Sequence, residues 1–581
     1  MRLVQRFCFV VLVSSLMAAQ TSAPGSSDTS QIQSDVKKLL DAMDAQQKAM
    51  AEQQKQITEQ QLEIERLKKQ LAEPQAVSAN GDVQPGKVVN ASLTAPNTNP
   101  ALRPVSDMAQ GERPKESPLS FRIGGAEFTP GGFMDFTTIF RSTNTGSATG
   151  TSFGGIPFST SVGGHLTETR FSAQNSRISL KATDKFGKND VTGYVEMDFL
   201  GNDASNVFVT SNSHTLRSRL YFADIRRDKW EILAGQSWSW LTPNRVGLSP
   251  YPSDVFYSQD MDFNYQAGLT WTRAPQVRVA YHPNDHWALG VALEQPEQYV
   301  SNEVILPNSF NVVLTPQLDA NSSPNPATGG GTGTPNLHPD IIPKITYDTN
   351  MGGKHFHVEA AGLLTGIRVT NIPSVTGATF VKHTKEGAGV EAAINLELVK
   401  NFRLVANGFY SDGGGRYILG LAPDAVFHPV NAPGSTCTNV ATTSGTPPVT
   451  TFSGVGCDVA ISLVHSGSGI VGFETQVTPK TMFYGYYGGV YAQRNFFADT
   501  TGKPGTFSGF GFPNSANNNN RAIQEGTLGW IQTFWKNPQY GALQLITQAS
   551  YLTRSPWFVA AGAPKNAHLA MGWVDLRYVL P

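Results

Sequence analysis

Charge is scarce in this sequence, and so are cysteines and long apolar runs. Charged residues make up 15% of the chain, against roughly 25% for an ordinary soluble domain. The balance of 44 basic and 45 acidic residues leaves a net charge of −1, so no nucleic-acid partner is expected, because such binders are usually markedly basic. Beyond the N-terminus no run reaches the ~20 apolar residues of a membrane-crossing helix. Any membrane crossing must then be made by a closed barrel, since lipid offers no partners to backbone N–H and C=O groups. Cysteine occurs 3 times. Cys8 lies in the first apolar stretch, which leaves Cys437 and Cys457 as an even pair in one long loop. In an exported chain such a pair is expected to form a disulfide. GxSxG, HExxH and P-loop spacings are missing, so we expect no enzyme, no cofactor and no metal. His355, His357 and Glu359 alternate on one strand and read as polar lumen or rim residues.

What is present divides the chain into four. Residues 1–23 read as a secretory signal, with Arg2 and Arg6 before the short apolar core Phe7–Ala19. Residues 24–72 form a coiled-coil oligomerisation segment. Val36, Met43, Met50, Ile57, Ile64 and Leu71 recur at sevens, with Ile32, Leu39, Gln46, Gln53, Gln60 and Leu67 at the complementary spacing. At 1.5 Å per residue this is a rod of roughly 60 Å. Three consecutive Gln layers trade stability for a defined register, and a homotrimer is expected. Residues 73–118 are a Pro-rich linker with little to bury.

Residues 119–581 carry short alternating segments and no helical pattern. Sixteen strands can be marked, among them 131–141, 176–184, 191–201, 215–225, 230–238, 265–281, 469–477 and 569–580. Short turns alternate throughout with long Gly/Ser/Thr/Asn-rich loops. The expected fold is therefore an all-β transmembrane barrel of about 16 antiparallel strands, preceded by an N-terminal α-helical coiled coil. An even count puts both barrel ends on the periplasmic side.

Facing follows from alternation. Val195, Met197 and Phe199 oppose Tyr194, Glu196 and Asp198; Val574, Leu576, Tyr578 and Leu580 oppose Asp575 and Arg577. Charges should line the lumen, because a Lys or Arg at the lipid midplane costs about 2–4 kcal/mol. Arg177 and Lys181 share one face. Arg217 and Arg219 share another, against Ser218, Leu220 and Phe222. Arg273 and Arg278 have opposite parity, so only one points inward unless a bulge intervenes. The third long loop, 241–264, is the natural constriction and carries Arg245, Asp254, Asp260 and Asp262. Two readings of these charges stand side by side: a basic wall that favours anions, and structural pairing of arginines with Glu196, Asp198 and Asp224.

The stretches GYVEMDFLGND (193–203), LRSRLYFADI (216–225), LAGQSWSWL (233–241), WTRAPQVRVAY (271–281) and LRYVLP (576–581), in this order and spacing, resemble trimeric porins of the DcaP-like family. The resemblance implies a passive outer-membrane channel for small hydrophilic solutes, with a preference for small organic anions such as dicarboxylates. It differs at the last residue, Pro581, where outer-membrane barrels usually end in an aromatic. A structural rival is a tether, in which the periplasmic coiled coil contacts peptidoglycan and conduction is secondary.

Overall fold

The computed structural model describes residues 117–201, 214–255, 259–297, 299–301, 303–311 and 336–581. The signal, the coiled coil and all but the end of the linker lie outside the described residues.

Sixteen antiparallel strands close into one barrel. They are β1 (Ala126–Arg141), β2 (Arg177–Phe186), β3 (Asn189–Asp198), β4 (Arg217–Arg227), β5 (Trp230–Trp238), β6 (Arg273–Tyr281), β7 (Trp287–Glu294) and β8 (Asp340–Met351). The circuit continues through β9 (Lys354–Asn371), β10 (Val381–Val399), β11 (Phe402–Asp412), β12 (His465–Thr478), β13 (Thr481–Ala492), β14 (Asn520–Asn537), β15 (Gly541–Pro556) and β16 (Ala567–Val579). Closure runs from Phe133 opposite Val579 to Arg141 opposite Met571. Among the described residues the barrel sheet has no open edge, which is the condition for a sheet in lipid. The short turns 187–188, 228–229, 282–286, 352–353, 400–401, 479–480 and 538–540 lie at one rim, and the long loops at the other.

Alternation becomes inside and outside as expected. Val574 and Leu576 are exposed on the outer surface while Asp575 between them is buried. Val277, Val279, Leu289, Val291 and Leu293 continue the apolar skin around β6 and β7. Such a skin suits hydrocarbon, and charges turned inward avoid its cost.

Three details differ from the sequence reading. The sixth strand starts at Arg273 rather than at residue 265; residues 265–272 belong to the loop before it. Leu220 and Phe222 are buried in the lumen, not on the face opposite Arg219. The cause is a β-bulge: the register passes from Glu196 opposite Leu220 to Met197 opposite Ser218, leaving Arg219 as the extra residue. The loop between β11 and β12 is not featureless. It folds into two stacked hairpins, Ala425–Asn431 with Cys457–Leu463 and Thr438–Ser444 with Val449–Val455. A disulfide joins Cys437 to Cys457 between them.

Candidate functional site in the lumen

The loop between β5 and β6 does not stay at the rim. Residues 239–255 and 259–272 lie in the barrel interior and bind strands on several sides. Near its start, the Asn244 N–H donates to Glu359 Oε1 at 3.0 Å, and the Gly247 N–H to Asp348 Oδ2 at 3.0 Å. Lys344 Nζ donates to the Thr242 carbonyl at 3.2 Å and pairs with Glu359 at 2.9 Å. Across the lumen Arg245 makes a bidentate pair with Glu474, at 2.9 and 2.8 Å. The returning limb is held by Tyr486, whose hydroxyl donates to Glu474 at 2.8 Å and accepts the Gln259 N–H at 2.9 Å. Gln548 accepts the Met261 N–H at 2.7 Å, and Glu525 the Ala267 N–H at 2.8 Å. Where the loop meets β12 and β13 the wall is glycine. A Cβ on Gly268 would lie 2.2 Å from the Gly469 carbonyl oxygen, and one on Gly488 would lie 2.3 Å from the Ala267 carbonyl oxygen.

The expected charged residues fall into separate groups. Arg219 pairs with Glu196 at 2.6 Å and with Asp198 at 2.8 Å, and donates to the Tyr265 hydroxyl at 3.1 Å. Arg217 binds the same Asp198 at 2.9 and 2.7 Å. Trp238 joins Arg273 to this group: the Arg219 and Arg273 guanidiniums lie 5.8 and 5.6 Å from its ring. Arg278 points inward as the parity rule allows; it donates to the Leu248 carbonyl at 3.2 Å and lies 3.7 Å from Glu231. Lys181 sits 4.7 Å above the Tyr251 ring. Arg245 stands apart, on the far wall with Glu474. Most of the arginines are therefore paired with lumen carboxylates, and the continuous basic wall is broken into clusters.

Arg177 is different. Among the described residues it makes no ion pair, and its Nε is buried without a partner. Its guanidinium lies 5.2 Å from the Phe133 ring, whose centre is 4.4 Å from the Arg577 guanidinium. Both arginines line a cavity of about 290 Å³ between the loop and the wall of β1, β2 and β14–β16. A second cavity of about 570 Å³ lies between loop residues 246–251 and the wall of β3–β8, and carries Asp224, Glu231 and Asp348. A third of about 470 Å³ opens under the long loops and is lined by Tyr299, Glu303 and Asn520.

Several site residues escaped the sequence reading. Arg577 was placed in the lumen but its partner Asp135, at 2.9 Å, was not recognised. Glu474, Lys344 and Tyr265 carry no motif. Only the path of the loop gives their partners. His357 and Glu359, expected as polar lumen or rim residues, are buried inside the barrel: His357 lies 2.8 Å from Asp348 through Nδ1 and 3.1 Å from Glu359 through Nε2.

A closed sixteen-stranded barrel whose third long loop folds inward has the architecture of an outer-membrane channel. The chain is similar to the outer membrane channel DcaP of Acinetobacter baumannii, with 16% identity over 80% of this chain and 100% of that one and a TM-score of 0.51. OprB of Pseudomonas putida matches at 11% identity over 78% of this chain and 94% of that one, with a TM-score of 0.39. OmpF of Salmonella typhi matches at 11% identity over 79% and 100%, with a TM-score of 0.37. The likeness to DcaP shows a shared fold. No protein-family model and no curated protein sequence matches the chain.

Proposed function

We propose that the protein is an outer-membrane porin, a passive channel for small hydrophilic solutes that favours small organic anions, dicarboxylates among them. In this reading residues 1–23 are the export signal, 24–72 a periplasmic coiled coil that holds a homotrimer together, and 73–118 its linker to the barrel. Arg177 carries the argument for anions. Among the described residues it is a lumen guanidinium without an ion pair, facing a cavity beside the loop, whereas Arg217, Arg219, Arg245 and Arg577 pair with Asp198, Glu196, Glu474 and Asp135. An unpaired fixed charge in a narrow, low-dielectric passage concentrates counter-ions.

The test is the reversal potential of the purified protein in a planar bilayer under a KCl gradient. Anion preference that falls in Arg177→Gln supports the proposal; cation preference in the native channel removes the anion assignment. Current steps in threes report the trimer.

A further inference from the structure

The cavity beside Arg177 holds more than a charge. Its walls include Phe133, Met261, Phe263, Ile531, Ile546 and Val579, so one side carries a cluster of apolar side chains, interrupted by Gln544. The two loop carboxylates at its border are held by hydrogen bonds from the loops and the wall. Asp260 accepts from Gln548 at 2.7 Å and from Thr527 at 3.2 Å. Asp262 accepts through Oδ1 from the backbone N–H groups of Thr151 at 3.0 Å and Asn264 at 2.9 Å, and its Oδ2 is buried without a hydrogen bond among the described residues. Both are buried. Arg577 and Arg245 also border the cavity, but each is engaged by its own carboxylate. The cavity thus offers one uncommitted guanidinium next to an apolar wall.

We propose that this cavity is a binding subsite for monoanions with an apolar body, such as an aryl-alkyl carboxylate, and that Phe133 is its positioning residue. The inference rests on the anion-channel reading and narrows it at this cavity alone: dicarboxylates pass the channel without being held here. A compact dianion leaves its second carboxylate against Ile531, Ile546 and Val579, where a charge loses hydration without a partner. A monoanion with a phenyl ring satisfies Arg177 at one end and buries the ring at the other. Phe133 takes part through Arg177. The ring attracts the guanidinium and fixes its position without neutralising it, as a carboxylate neighbour would.

The experiment measures how 3-phenylpropionate, propionate, succinate and the neutral 3-phenylpropanol interrupt the ion current of the full-length protein in planar bilayers. Burying the ring should lower the half-blocking concentration of 3-phenylpropionate about tenfold below those of propionate and succinate. Arg177→Gln should raise it by about the same factor, and Arg177→Lys should restore part of the loss. Phe133→Leu should weaken 3-phenylpropionate and broaden its residence times, because the guanidinium is no longer held. Ile546→Ser should shrink the ratio of 3-phenylpropionate to propionate and tests the apolar wall without touching the arginines. The subsite is overturned if succinate blocks as well as 3-phenylpropionate, or if 3-phenylpropanol matches it. It is also overturned if Arg177→Gln, shown by its conductance to be assembled, leaves the block unchanged. Cation preference in the same native channel marks failure of the porin's anion reading instead. Anion preference with no discrimination among carboxylates marks failure of the subsite alone.

Discussion

Two arginines a strand apart in the lumen have different duties, and the difference is a matter of neighbours. Arg219 is 3% exposed and lies between Glu196 and Asp198, which are 5% and 0% exposed. Removing one member of a buried ion pair leaves the others charged and unsatisfied, at a cost of about 3–5 kcal/mol. Arg219→Ala should therefore lower the urea midpoint of the folded barrel in detergent, while Arg177→Ala should barely move it, since no ion pair is broken. Equal losses in both variants would contradict this division. A second residue-scale prediction lies at the outer rim, where His338 binds the Pro339 carbonyl at 2.7 Å and Glu386 at 2.9 Å. The Pro339 carbonyl, and then Glu386, hold the His338 pKa above its ordinary value of 6.5. With the folded value raised, the stabilisation is complete below about 6.5, the unfolded value, and is lost as pH rises through the folded one. An NMR titration of the His338 ring should show a midpoint above 6.5, and Glu386→Gln should bring it down. A midpoint unmoved by that change would remove Glu386 as a cause.

At the scale of elements, the inward loop is positioned by two devices, one electrostatic and one steric. On β8 and β9 both ring nitrogens of His357 face carboxylate oxygens, of Asp348 and Glu359. Two acceptors on one imidazole call for two N–H donors, the arrangement of the imidazolium. Those same carboxylates accept the Gly247 and Asn244 N–H groups of the loop. His357→Gln keeps a polar group but supplies neither the charge nor the second ring donor. It should loosen residues 244–247 and increase open-channel current noise. On β12 and β13 the device is the missing side chain: Gly488→Val would place methyl groups where the Ala267 carbonyl now sits. The loop must then leave the wall, and the single-channel conductance should change measurably. An unchanged conductance would show that the loop does not set the narrowest point. The strands themselves were legible in the sequence, because inward and outward residues alternate with period two along nearly every one. The start of β6 was not. Tyr265–Thr272 alternates like a strand, yet Gly268 adopts φ 101° and the segment packs inside the barrel. The bulge at Arg219 was hidden for a related reason, since one extra residue reverses parity without leaving a mark in composition. The pairings across the lumen were hidden most deeply: Arg245 and Glu474 meet over 229 residues of sequence, and only the course of the loop brings them together.

For the whole molecule, the near-zero net charge of −1 conceals an interior dense in ions that mostly cancel in pairs. A lumen of this kind has short-range charge patterns and a weak long-range field. Its selectivity should come from the few charges left over, Arg177 first among them, and should fade with salt. The Debye length falls from about 10 Å at 0.1 M to about 3 Å at 1 M ionic strength. The half-buried Arg177 guanidinium should be screened over that range, whereas the buried pairs holding the loop should not. Measured in KCl gradients of constant ratio, the anion preference of the native channel should therefore decline as mean concentration rises. The conductance set by the loop, scaled to bulk conductivity, should meanwhile stay nearly constant. Selectivity that persisted at 1 M salt would place its source in pore width or in a dry contact rather than in an exposed charge. Loss of scaled conductance at high salt would mean that the pairs fastening the loop are themselves open to water.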